Sequence, residues 1–342
     1  MATLARLLAA AGLAAALACG QTAAAQTTLR YSNWLPAGHP LRAQVMDPWA
    51  QEVEKATQGR VRVEALPKVV GTVPGQYDAV RDGLADVALF VPSYTPGKFE
   101  VTEMMELPFL ADKASVRSPA SWRFYQKHLA AHDEYKGVRV LSLFTGPALH
   151  LYTAKRAIRS IDDFAGLKLR SPNPAVSQGL TLLGATPVLK PATEIYELVS
   201  GGVLDGAATT ISDVASFRLT GLLPRAQVVG GGFTATVIVL AINPAKWASL
   251  GKADQDAMLA VSGEKLARAV GAAFDAAEAD SLDATRKAGG SVDLLPPALV
   301  DAMKERTAPL EKSVLDKARK HGVKDPAELL GALKAEVAAA GR

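Results

Sequence analysis

Apolar and polar positions along this chain follow two periods, and the periods take turns. Leu29 to Trp34 and Val61 to Leu66 read as strands, and Asp86 to Val91 carries the near-continuous apolar run of a buried parallel strand. Between them, Met46 to Ala56 and Gly75 to Gly83 have helical spacing, and Gln58-Gly59 supplies a left-handed stop for the first of these helices. Strand, helix, strand, helix, strand is a βαβ pattern, which predicts a mainly parallel sheet covered by helices.

After the apolar corner Leu107-Pro108-Phe109-Leu110 come a polar helix around Ser121 to Ala131 and a strand from Val138 to Phe144. Leu149 to Thr153 is extended again, where the chain crosses into a second lobe. There the alternation restarts with strand Leu167 to Arg170, helix Pro174 to Leu183, strand Thr186 to Leu189 and helix Thr193 to Ser200. A strand from Asp205 to Thr210 and a helix beginning near Asp213 follow. The β-branched run Phe233 to Ile242 suits a strand running between lobes, stopped by Asn243-Pro244. Ala253 to Arg286 is an alanine-rich amphipathic stretch long enough to lie across both lobes, and after a short strand at Val292 to Leu295 the chain ends in two or three helices. The pattern predicts an α/β protein of two lobes with several crossings, and ligand clefts form preferentially between such lobes. Lobe I is expected to hold 26–153 and about 242–281, lobe II 154–241 and about 282–320, with 321–342 as a C-terminal helix.

Composition narrows the class. The 342 residues are 49% apolar and 21% charged, and the net charge is +4 from 38 basic and 34 acidic side chains. No Lys/Arg run and no basic stretch interleaved with aromatics is present, so no nucleic-acid partner is expected. Residues 1–25 differ from the rest: Arg6, an Ala/Leu-rich core from Leu7 to Ala18, and Ala23-Ala24-Ala25 before Gln26 form the three-part pattern of a signal peptide. Cleavage there removes Cys19, the one cysteine, and leaves a cysteine-free exported protein, expected in the periplasm. Lipid attachment at Cys19 is the alternative, behind the poor lipobox Ala16-Leu17-Ala18.

Catalytic patterns are weak. The five histidines are His39, His128, His132, His150 and His321; His128 and His132 are spaced for one metal, but Leu129 stands where H-E-x-x-H needs glutamate. Neither a nucleophile elbow nor a phosphate loop occurs, and Gly230-Gly231-Gly232 precedes a strand, as a flexible turn does. No enzyme activity, cofactor or metal is therefore expected. Arg170 is the more informative residue. It ends the alternating strand Leu167-Lys168-Leu169-Arg170, just before Pro172, at the strand mouth where α/β folds collect ligands. Its planar fork of donors matches a carboxylate and stays charged in any dielectric. Arg156, between Lys155 and Arg159, reads more simply as a solvated cluster.

The segment Ile161-Asp162-Asp163-Phe164-Ala165-Gly166-Leu167-Lys168-Leu169-Arg170-Ser171-Pro172 resembles the "DLKGLKIRVP" segment of TRAP-transporter periplasmic solute-binding proteins, the C4-dicarboxylate-type solute receptors. The resemblance continues through Leu183-Gly184-Ala185-Thr186-Pro187, Glu194-Ile195-Tyr196-Glu197-Leu198 and Gly202-Val203-Leu204-Asp205-Gly206-Ala207. With Gly59-Arg60-Val61 and Leu107-Pro108-Phe109-Leu110 it covers nearly the whole mature chain in order. It implies the two-lobed periplasmic-binding-protein fold, each lobe a mainly parallel sheet flanked by helices, with a long helix bridging them. It also implies capture of an organic acid for a sodium-coupled, ATP-independent carrier with a small and a large membrane subunit.

In that family the arginine ending this strand pairs with the ligand carboxylate, which by motif position is Arg170. Arg156 matches a basic turn residue that makes no ligand contact. Members that bind sialic acid have a second arginine where this chain has His150, an asparagine at Thr209, an aromatic residue at Ala192 and an acidic one at Val91. These departures argue against a sugar acid and for a small or aromatic monocarboxylate, or for a dicarboxylate with His150 as second donor. Trp34, Tyr94 and Phe233 are the expected walls. The rival readings are the solute receptor of an ABC or tricarboxylate importer and an exported hydrolase or lyase.

Overall fold

The short apolar strands close into two separate sheets in the computed structural model, which describes residues 26–342. The expected signal peptide and Cys19 lie outside the described residues. The strands are β1 (Thr27–Ser32), β2 (Val61–Ala65), β3 (Val87–Phe90), β4 (Arg139–Thr145), β5 (His150–Thr153), β6 (Lys168–Ser171), β7 (Thr186–Leu189), β8 (Gly206–Thr209), β9 (Arg225–Val228), β10 (Val237–Ile242) and β11 (Ser291–Leu294). Lobe I holds the order β2-β1-β3-β10-β4, and lobe II the order β11-β9-β5-β8-β6-β7. Each sheet has one strand antiparallel to both its neighbours: β10 between β3 and β4, and β5 between β8 and β9. Both odd strands are the ones that a crossing delivers from the other lobe.

The cores explain why these strands read as apolar. Every residue of β3 and β10 is buried, because helices cover both faces of the first sheet. Trp49, Val53, Leu266 and Phe274 pack on one face and Phe90, Met104, Phe124 and Leu330 on the other. Lobe II repeats the plan, with Leu169, Leu180 and Met303 on one side of its sheet and Tyr152, Ile195 and Leu219 on the other. Each such side chain contributes about 1.5–3 kcal/mol by leaving water.

Two crossings run side by side. Gly146 N donates to Thr236 O at 2.9 Å, Leu149 N to Thr234 O at 2.7 Å, and Phe233 N to Leu149 O at 3.1 Å. Gly232 enters this pair at φ +69°, and a Cβ there would lie 2.6 Å from the Ala148 Cβ, so no larger residue fits. Glu106 pins the exit: its Oε1 accepts from Val237 N at 2.9 Å and from Ser93 Oγ at 3.0 Å. The helix Gly263–Lys287 is the third tie, packing on the helix Ala114–Phe124 and β4 of lobe I and on the helix Ile211–Ser216 and β11 of lobe II.

Several expectations shift by a few residues for identifiable reasons. The lobe boundary expected at 153/154 falls at the end of β5, which is registered against β8 and β9, so the chain crosses earlier, through 146–149. The long expected strand from Phe233 regularises only at Val237 and completes the first sheet. The expected helix over 253–286 is two helices, Lys252–Ala260 and Gly263–Lys287, broken where Gly263 takes φ +57° against the Trp122 ring. The helix Pro309–Lys320, expected with lobe II, inserts Leu310, Val314 and Ala318 into the core around Phe90 and Phe124. β9 matched no expected element, because its inward Gln227 interrupts the apolar pattern while being 1% exposed.

Candidate ligand-binding site

Parallel strands from both lobes end at the cleft, so the residues just after them meet there. β1 leads to Trp34 and His39, β3 to Val91 and Tyr94, β6 to Arg170 and Pro172, and β8 to Thr210 and Asp213. With Ile238 of β10 and Phe274 of the bridging helix they line a cavity of about 50 Å³. That is small beside an ordinary ligand pocket. The reason is direct contact between the lobes: Tyr94 Oη lies 3.4 Å from Arg170 Nη2 and accepts from Ala192 N at 3.2 Å, while His39 Nε2 lies 3.2 Å from Asp213 Oδ1. A larger open groove of about 780 Å³ lies along Leu107 to Leu110 and the Pro309–Lys320 helix, with charged side chains at its rim and without Arg170.

Arg170 is 2% exposed, the rare case of a guanidinium inside an α/β core. Strand pairing fixes its backbone between Val188 and Ala207, and its head reaches acceptors left at the ends of neighbouring strands. Nε donates to Lys190 O at 2.8 Å, Nη1 to Ala208 O at 3.0 Å and Nη2 to Tyr94 Oη at 3.4 Å. Three of the five guanidinium hydrogens are thus spent, leaving two, one on each terminal nitrogen. A guanidinium with a donor to spare on each terminal nitrogen can take a carboxylate bidentately. Burial pulls the Arg170 pKa down and nearby Tyr94 and Asp213 oppose that pull, but arginine stays protonated at any physiological pH. Burial raises the Tyr94 pKa, so its phenol keeps its hydrogen. The oxygen accepts from Arg170 and Ala192, and the hydrogen has no acceptor among the described residues.

Asp213 is the second charge. Burial alone would raise its pKa, but the hydrogen bond from His39 and the charge of Arg170 outweigh it and hold the carboxyl below its usual value. Leu41 N donates to His39 Nδ1 at 3.2 Å, so the histidine proton sits on Nε2 and faces Asp213. The walls are apolar and aromatic. Trp34 is fixed by its Nε1 donating to Leu89 O at 3.0 Å, and its ring is tilted against Tyr94 with centroids 6.5 Å apart.

A two-lobed α/β shell with a buried arginine in its cleft is the setting in which a known family appears. The family model for bacterial extracellular solute-binding proteins, family 7 (DctP), matches residues 31–318. The chain belongs to that family. This solute-binding protein is the extracytoplasmic component of a TRAP-type transporter that captures an organic acid. Its fold is shared with a TRAP periplasmic solute-binding protein of Bordetella bronchiseptica, solved with bound (R)- and (S)-mandelate. The two are 36% identical, the match covers 92% of this chain and 99% of that one, and the TM-score is 0.88. A TRAP solute-binding protein of Rhodoferax ferrireducens, solved with copurified benzoate, is 28% identical over 92% of this chain and 99% of that one, with TM-score 0.88. A marine metagenome TRAP solute-binding protein specific for aromatic acid ligands, in complex with 3-hydroxybenzoate, is 28% identical over 93% of this chain and its own full length, again with TM-score 0.88.

Among the residues expected at the site of the solute-binding protein, Arg170, Trp34 and Tyr94 line one cavity, as do Ala192 and Val91. Thr209 is fully buried just behind it, donating to Asp213 Oδ2 at 3.2 Å. His150 does not line the cavity: Val229 N donates to its Nδ1 at 3.1 Å, and its Nε2 faces Glu278 Oε1 at 3.3 Å. Phe233 stands in the lobe II core, with its ring centroid 6.3 Å from that of Phe109 and its edge against Gly179. His39, Asp213 and Phe274 were not anticipated. A signal for Asp213 exists in Thr210-Ile211-Ser212-Asp213, a capping-box spacing in which Thr210 caps Asp213 N at 3.0 Å. The carboxylate goes across the cleft instead of back to the cap, and only the folded arrangement shows it. Among the described residues no group of three or more His, Cys, Asp or Glu is placed to hold a metal ion, and no helix is long and apolar enough to cross a membrane.

Proposed function

We propose that the cavity takes a monocarboxylic acid with an aromatic body. The observation that carries this is the pair of unspent Arg170 donors beside the free Tyr94 hydrogen, in a cavity whose apolar lining includes Trp34, Val91, Ile238 and Phe274. Three donors in one cavity suit a carboxylate, and the apolar part of the lining suits the rest of the ligand. Mandelate, benzoate and 3-hydroxybenzoate in the three similar structures are acids of that kind. The dicarboxylate alternative needs a second cationic or donor site, and His150, its expected source, has both ring nitrogens engaged by the protein.

In this account the acid docks on Arg170, and lobe I closes over it through Tyr94 and His39. An aromatic acid is larger than the closed cavity, so it enters an opened cleft and holds the lobes a little further apart than they stand here. Closure shifts only as far as the ligand prefers the closed state. The protein acts by binding and not by turnover, in the periplasm after removal of residues 1–25, and passes the acid to a small and a large membrane subunit.

A thermal-shift screen tests the proposal. Benzoate and mandelate at about a hundred times Kd are expected to stabilise the protein by about 2.7 kcal/mol and to raise Tm by several degrees. Succinate and malate are expected to leave Tm unchanged; a shift with the dicarboxylates alone would overturn the assignment.

A further inference from the structure

We propose that Asp213 sets the specificity of this cavity, accepting a hydrogen bond from a hydroxyl on the ligand and rejecting a second carboxylate. The inference rests on the aromatic-monocarboxylate reading and adds what the ligand carries besides its acid group. Asp213 shares the cavity lining with Arg170, yet no hydrogen bond joins them; Arg170 is held by Lys190 O, Ala208 O and Tyr94 instead. Both charges therefore stay available to the ligand. Asp213 Oδ1 accepts from His39 Nε2 and Oδ2 from Thr209 Oγ1, both at 3.2 Å. A carboxylate oxygen has two lone pairs, so each keeps one. The side chain is 15% exposed and lines the cavity.

The surroundings hold this acceptor still. The His39 ring is fixed by Leu41 N, stands edge-on to Phe274 at 6.1 Å and tilts against Phe217 at 6.0 Å. One donor to Asp213, His39, comes from lobe I, while the carboxylate and its other donor, Thr209, belong to lobe II, so the acceptor is held on both oxygens only when the cleft is shut. A ligand hydroxyl that reaches Asp213 gains a charge-assisted bond in a desolvated site. A ligand carboxylate there meets a like charge with no cation left to pair it, since Arg170 already serves the first carboxylate. An unsubstituted ring leaves the lone pairs unmet. The selection is therefore for donors on the ring or side chain, and against a second acid.

Calorimetric titration of matched pairs tests this: benzoate against 3-hydroxybenzoate, phenylacetate against mandelate, and benzoate against isophthalate. The expected result for the wild-type protein is at least tenfold tighter binding of the hydroxylated member of one of the first two pairs, and at least a hundredfold weaker binding of isophthalate than of benzoate. In Asp213→Asn both ratios are expected to fall to within about threefold. These are ratios within one protein, so a general loss of stability would not move them, and the wild-type pairs decide the matter even if the variant does not fold. Equal affinities within both hydroxyl pairs, or isophthalate binding as well as benzoate, would overturn the role of Asp213 while leaving the aromatic-acid reading intact. Binding of no aromatic acid at all would overturn both.

Discussion

On the lobe II side of the cleft, Arg170 and Asp213 are buried charges held by strand-end carbonyls and by Thr209, whereas the lobe I side presents Trp34, Val91 and Ile238 with Tyr94 Oη and His39 Nε2 as its polar atoms. The difference assigns the two halves different tasks. On the proposed reading, lobe II keeps the Arg170 fork assembled largely through its own backbone and holds an acid before closure. On the same reading, lobe I adds apolar surface and two polar tips, which remove water and strengthen the charged contacts already made. The lobe I tips act on the lobe II charges and not on each other.

The comparison breaks most plainly at Arg170. Arg170→Ala is expected to weaken acid binding by about a hundredfold or more, about 3 kcal/mol, because a desolvated carboxylate loses its charged partner. Calorimetry on the variant, with circular dichroism to confirm the fold, reads this; tenfold or less would mean that lobe II does not hold the acid.

Glu106, at the exit of the paired crossings, gives the next effect, in stability. Burial, opposed mainly by the Val237 N hydrogen bond, pushes the Glu106 carboxyl up to about 8 from 4.5; nearby Glu103 adds to the push, while Ser93 and Arg117 oppose it. The folded protein therefore holds a proton that the unfolded chain releases. Its stabilising contribution is full below about 4.5 and is lost as pH rises through about 8. Denaturant titrations between pH 5 and 8 are expected to show stability falling by up to about 1.4 kcal/mol per pH unit from this group, and Glu106→Gln is expected to remove that slope. An unchanged slope in the variant would place the titration elsewhere.

Tyr94→Phe sharpens the lobe I side. It removes one hydroxyl that ties Arg170 to Ala192 N and leaves the ring in place, so a loss of about 1 kcal/mol, five- to tenfold in affinity, is expected. Stopped-flow measurement should find the change in koff, since the lobe I contact forms on closure. Smallest of all is His150→Gln, expected to cost about 1 kcal/mol of stability through Val229 N and Glu278, with acid affinity within twofold of wild type. A tenfold loss of affinity there would return His150 to the site.

His39 and His150 show what the sequence can and cannot reveal. Each is buried, accepts a backbone amide on Nδ1 and faces a carboxylate with Nε2. Nothing local separates them. His39 lines the cavity because its partner Asp213 belongs to the opposite lobe, and that pairing spans 174 positions of the chain. Arg170 was legible because its cue is local: an alternating strand, a basic last residue and Pro172 close behind. The two sheets were legible from apolar periodicity, and the crossing at 146–149 was displaced because Pro147 and Gly146 break that period just before β5 resumes it. Phe233 was legible as a large buried aromatic, but period alone does not say whether a buried ring faces a cavity or a core.

The most direct test of the central claim is a crystal structure of the protein with benzoate or mandelate. The account predicts one carboxylate oxygen on each of Arg170 Nη1 and Nη2 at about 2.7–2.9 Å, the Tyr94 hydroxyl donating to the same carboxylate, and the ring between Trp34 and Phe274. An acid bound with its carboxylate away from Arg170, for example in the groove beside Lys304 and Lys312, would contradict it.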